Sequence, residues 1–109
     1  ASHHATRMLT AAMVQASERA GEAIQAQRWA EAAALLRVMR QIRPENALVC
    51  LPLARALAQT NQPAAALDAL ACAVDGKAVR RATLDGDALL APIRADPRFA
   101  EIAARAITQ

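Results

Sequence analysis

Apolar positions along this chain recur three and four residues apart, and nowhere alternate in steps of two over a run. That period belongs to helices with one buried face and argues against half-buried strands. Met8, Met13, Ala16, Ala20, Ala23 and Ile24 make one such stripe and predict a first helix from about 5 to 26. After a turn at Gln27 and Arg28, a second stripe of Ala32, Leu35, Leu36, Met39 and Ile42 predicts a helix over 29–43. Pro44 ends it, because the residue before a proline is pushed out of the α region.

Asn46 stands where a side chain can cap a third helix over 47–60. Pro52 inside that span removes the bond to the Leu48 carbonyl, so it bends the first turns or delays the start to about Leu51. Asn61-Gln62-Pro63 forms the next turn, with Pro63 suited to the first position of a fourth helix over 63–74. Asp75-Gly76 stops that helix, with Gly76 expected in a left-handed cap. Helical periodicity then weakens from Lys77 to Arg94, where Asp85-Gly86-Asp87 reads as a turn. Asp96-Pro97 starts a last helix with the stripe Phe99, Ile102, Ala103 and Ala106. Gly21, inside the first helix, costs about 1 kcal/mol against alanine and is expected to mark a close helix contact.

Two of these helices carry the same pattern. Ala32-x3-Leu36-x2-Met39 returns as Ala66-x3-Leu70-x2-Ala73, with every position shifted by one constant interval. Ahead of them stand Ala16-x2-Arg19-Ala20-x2-Ala23 and Cys50-x2-Leu53-Ala54-x2-Leu57, and Pro44 closes the first unit. The pattern and its interval resemble the tetratricopeptide repeat family, whose period is about 34 residues. The resemblance covers roughly 13–76, and its first unit departs from the family at Arg19, where a leucine is usual. Its structural positions fall on Ala20, Trp29, Ala32, Leu36, Pro44, Leu53, Ala54, Leu57, Ala66, Leu70 and Ala73. The implied fold is all-α. About two helix-turn-helix units, 13–46 and 47–76, stack as a short right-handed solenoid, and 77–109 forms a capping segment around Phe99. The whole of 6–109 is then one domain, with 1–5 a disordered start or tag remnant that includes His3 and His4. Leu89–Phe99 resembles the tail that follows the last repeat in bacterial proteins, some of which append the helical unit to an enzyme domain.

In this family the first helix of each unit lines a concave groove that holds a protein or peptide. By position, the groove residues are Ser17, Ile24, Gln25, Leu48, Leu51, Arg55 and Gln59, with Val14, Gly21 and Ala58 between them. Leu48, Leu51 and Ile24 are apolar for a solvent face. Either they mark a partner site, or Pro52 rotates the third helix and buries the two leucines. Arg55 suits a carboxylate or a backbone carbonyl of a bound segment. The lysines and asparagines that grip a C-terminal carboxylate in one version of this groove are missing: Ser17, Gly21 and Pro52 stand in those places.

Composition narrows the rest. The chain is 55% hydrophobic, largely through alanine, and Trp29 and Phe99 are its only aromatic residues, which favours close helix packing. Arg37, Arg40 and Arg43 recur near the end of the second helix, where cations favour the negative helix terminus. Nucleic-acid binding is not expected: net charge is only +3, and there is no recognition motif or aromatic platform. No apolar run is long enough to span a membrane. No catalytic set, metal cluster or cofactor motif is present, so neither an enzyme nor a cofactor is expected.

Cys50 and Cys72 read as two buried free thiols, or else as a disulfide between paired helices. The first reading favours the cytoplasm, and the second a periplasmic or secreted setting. The function expected is a non-catalytic adaptor that binds a protein or peptide. The alternative is an accessory or self-associating module, possible as a homodimer, cut from a larger enzyme.

Overall fold

Gln27 and Asn61, one repeat period apart in sequence, share one backbone conformation, with φ at 59° in both. Each closes a helical hairpin by the same pair of bonds. The Arg28 N–H reaches the Ala23 carbonyl (2.8 Å) and the Gln27 N–H that of Ile24 (3.0 Å). Gln62 and Asn61 repeat this onto Leu57 (3.0 Å) and Ala58 (3.4 Å). This is the Schellman arrangement, which satisfies carbonyls that a helix end would otherwise leave without partners. The first hairpin joins α1 (Ser2–Gln25) to α2 (Trp29–Ile42). The second joins α3 (Cys50–Gln59) to α4 (Pro63–Asp75).

The computed structural model describes the backbone of residues 2–108 and the side chains of 13–108. Among the described residues every named element is an α or 3-10 helix, and the only sheet-like pairing is an isolated bridge between Arg80 and Ile107. Helix α1 starts at Ser2. The side chain of Met8, placed in the first stripe, lies outside the described residues.

Pro52 delays the third helix, as its missing N–H requires. Residues Ala47–Val49 form a 3-10 turn, the Asn46 carboxamide accepts the Leu48 N–H at 3.2 Å, and α3 begins only at Cys50. The segment 77–94 is more ordered than its weak periodicity suggests. It holds α5 (Arg81–Gly86) and a 3-10 helix over Ala88–Ile93. Asp87 caps the latter by accepting the Leu89 N–H at 3.0 Å. The last helix, α6 (Pro97–Ala104), starts where Asp96-Pro97 predicts, with the Asp96 carboxylate accepting the Arg98 N–H at 2.9 Å.

Packing follows the small positions. Ala20, Ala32, Ala54, Ala66 and Ala73 are buried where helices approach, and Leu36, Leu53, Leu57 and Leu70 fill the space between them. Trp29 is half-buried against this core, and Pro44 is exposed beyond the end of α2. Successive helices pack on one another from α1 to α4. The 3-10 helix Ala88–Ile93 then packs on α3, and α6 on α4. Phe99, Ile102, Ala103 and Ala106 are all buried, as their stripe predicts. Exposed pairs Arg98–Asp68 (2.7 Å) and Arg105–Asp75 (3.0 Å) tie the last segment to α4. The hydrogen bond to Asp68 raises the Arg98 pKa further above its ordinary value.

Four expectations change. Ile42 is exposed, because the core ends a turn earlier at Met39. Gly21 makes no close helix contact: a Cβ built there meets nothing within 4 Å. Gly76 is not left-handed (φ −83°); the left-handed residue is Lys77 (φ 57°). What position 76 requires is space, since a Cβ there would collide with the Cβ of Ala47. Finally, Cys50 and Cys72 are not free thiols. They form a disulfide between α3 and α4 with a Cα–Cα separation of 5.9 Å, inside the range such a bond needs.

Candidate functional site

The residues read as a groove separate into three places. Ser17 and Ile24 of α1 face Leu48 and Pro52 across an open cleft of about 380 Å³, with Gly21 on its wall. Leu36 and Met39 form the floor. Leu48 is 74% exposed, an unusual state for a leucine at the start of a packed helix, and Val14 is 52% exposed two turns before Gly21 on α1. The cleft is open because the helix wall has no side chain at position 21.

Arg55 and Gln59 are one and two turns further along α3, and both are engaged within the chain. The Arg55 guanidinium donates from Nε to Asp87 Oδ2 at 2.6 Å, and the Asp87 side chain is only 7% exposed. Gln59 donates from Nε2 to the Leu89 carbonyl at 2.9 Å. Leu90 and Ile93 complete the contact by full burial. Arg55 therefore does hold a carboxylate and Gln59 a backbone carbonyl, but both belong to 87–93 of the same molecule. Ala58 is buried as well. Leu51, half-buried, lies in a separate cleft of about 540 Å³ with Lys77, Val79, Thr83 and Ile107. Gln25 is exposed at the end of α1 and lines none of these clefts.

Two features escape a reading based on the repeat period. The first is the role of Asp87, although its sequence signal exists. Asn46-Ala47-Leu48-Val49 and Asp87-Ala88-Leu89-Leu90 share a capping residue, Ala, Leu and an aliphatic, at a spacing longer than the repeat. Both form capped 3-10 turns. The second is Arg94, which donates to the carbonyls of Leu84 and Asp87 and lies 5.2 Å over the Phe99 ring. It knits α5, the 3-10 helix and α6 together.

Among the described residues no group of three His, Cys, Asp or Glu could hold a metal ion. No described helix is long and apolar enough to cross a membrane. A family model described as tetratricopeptide repeat matches residues 23–75, from the end of α1 through α4. No curated protein and no solved structure matches the chain.

Proposed function

We propose that this chain, whose residues 23–75 match the tetratricopeptide repeat, a protein–protein interaction module in general, holds a partner protein through the cleft between α1 and the turn that opens α3. The observation that carries this reading is the exposure of Leu48 beside the empty wall at Gly21. An exposed leucine facing a floor of Leu36 and Met39 gains from an apolar occupant about 25 cal/mol for each Å² of surface withdrawn from water. Helix walls have their backbone groups paired internally, so recognition falls to side chains. The residues assigned are Ser17, Gly21, Ile24, Leu48 and Pro52, with Val14 extending the apolar edge. The occupant is an aliphatic side chain of a peptide or protein segment. Arg55 and Gln59 serve a different task here, closing the far end of the surface.

The test is affinity capture with the whole chain and two variants. Leu48→Asp puts a charge at the mouth of the cleft, and Gly21→Leu fills it from the wall. Both positions are open to solvent, so helicity by circular dichroism should be unchanged. A partner held by the wild type and lost by both variants supports the reading. A partner retained by both sinks it. Sedimentation equilibrium separates the alternative: a dimer that dissociates in Leu48→Asp makes a second copy of the chain the occupant.

A further inference from the structure

A third cleft lies away from the other two. Helices α2 and α4 both pack against α3, and between them lies a trough of about 460 Å³ lined by Arg37, Arg40, Pro44, Leu57, Ala65 and Asp68, among others. One wall is basic. Arg37 donates to the neutral Gln62 Oε1 at 3.1 Å, and neither Arg37 nor Arg40 has a carboxylate within 4.0 Å among the described residues. The acid on the opposite wall, Asp68, is already taken by Arg98 at 2.7 Å. The trough therefore presents two uncompensated guanidinium groups over an apolar floor.

From this we infer that the trough between α2 and α4 is a second interaction surface, one that takes an acidic helical segment of a partner protein. Charge complementarity names the occupant. Arg37 and Arg40 stand three residues apart on one helix, so their guanidinium groups are about one turn apart. Two carboxylates three or four residues apart on a facing helix match that spacing, and guanidinium binds carboxylate with two donors at once. An aliphatic residue one turn beyond the carboxylates, on the same helix face, meets Pro44 and Ala65. The floor leucines, Leu53 and Leu57, are almost wholly buried, so little apolar area is available and charge dominates recognition. The surface shares no lining residue with the cleft between α1 and Leu48 and does not rest on it. The arginine run, otherwise a favourable charge at the end of α2, gains a recognition role at positions 37 and 40.

The probe is a capped helical peptide with two glutamates three residues apart and a leucine one turn beyond them on the same face, titrated into the whole chain and followed by two-dimensional amide NMR. The expected result is saturable shifts at Arg37, Arg40, Ala65 and Asp68, weakening at least tenfold when ionic strength rises from low to physiological salt. Arg37→Gln with Arg40→Gln weakens binding at least tenfold, and so does a peptide with glutamine for glutamate. Arg80→Gln, which removes a charge outside the trough, leaves the affinity unchanged. Equal binding of the glutamine peptide overturns the proposal, as does loss of binding in Arg80→Gln alone. Tighter binding of a free aliphatic carboxylate than of the peptide makes the site one for small molecules and overturns the partner assignment. Preferential binding of single-stranded DNA, or a dimer abolished by the arginine changes, overturns it in favour of those occupants.

Discussion

The first and second junctions of this chain are built from similar pieces and end in opposite states. In each, a capped 3-10 turn carrying Ala-Leu-aliphatic comes after a helical hairpin. At the second junction Asp87 caps the turn and Arg55 holds it by a charged bond of 2.6 Å, while Gln59 fixes the Leu89 carbonyl. At the first, Asn46 caps the turn, and the position on α1 that lies one repeat period before Arg55 is Gly21. A neutral cap facing a missing side chain leaves an open cleft, whereas an acid facing an arginine closes it. The open and the closed junction thus differ at two residues, the cap and the position facing it.

The largest effect should come from two leucines of these turns: Leu90, the counterpart of buried Val49, and Leu48, the counterpart of half-buried Leu89. Leu90→Ala removes a wholly buried side chain and should cost about 3–4 kcal/mol in urea unfolding. Leu48→Ala, at the exposed position of the open junction, should stay within about 0.5 kcal/mol. Equal losses would show that Leu48 is packed as tightly as Leu90.

Next is the cross-link that fixes the start of α3. Replacing Cys50 and Cys72 together by alanine should lower stability by about 3 kcal/mol, from the loop entropy of a 22-residue separation. Thermal unfolding with and without reductant checks this. A protein indifferent to both would mean that the bond adds nothing to the fold.

Arg55→Ala should cost about 2 kcal/mol, because Asp87 stays largely buried and loses its charged partner. A double-mutant cycle with Asp87→Ala isolates the pair, and a coupling near zero would show that apolar burial alone closes the junction. Smallest and opposite in sign is Gly21→Ala. It removes a flexible residue from a helix and meets open space, so a gain of about 0.5–1 kcal/mol is expected in the same unfolding assay. Gly21→Arg combined with Asn46→Asp goes further and transplants the clamp. It should shield the cleft, read as reduced hydrogen exchange at Leu48.

Much of the fold was legible because its signals are local. Pro44, Pro63 and Asp96-Pro97 fix helix ends through backbone geometry that depends on a few neighbours. The alternation of small and large residues in 13–76 placed Ala54, Ala66, Leu53 and Leu70 in the core for the same reason. The misses are interactions between distant residues. Helix α5 has six residues, too few for a period to show. The bond from Arg55 to Asp87 spans 32 positions, so a residue read as facing a partner faces the chain's own C-terminal segment. The cysteines could be called buried from sequence, but their pairing depends on how closely α3 meets α4. Of the candidate groove, Ser17, Ile24 and Leu48 lie together, while Arg55 and Gln59 depend on 87–93, a segment with no counterpart in the repeat pattern.

The contact of Gly76 with Ala47 reaches beyond the turn in which it occurs. Ala47 sits directly before Leu48, so the far side of the open cleft rests on a glycine at the end of α4 that never touches the cleft. Any larger residue at 76 pushes that turn forward and changes the width of the mouth from behind. Under the proposed function, position 76 would act as an adjusting screw for partner choice, one that leaves every residue lining the cleft as it is.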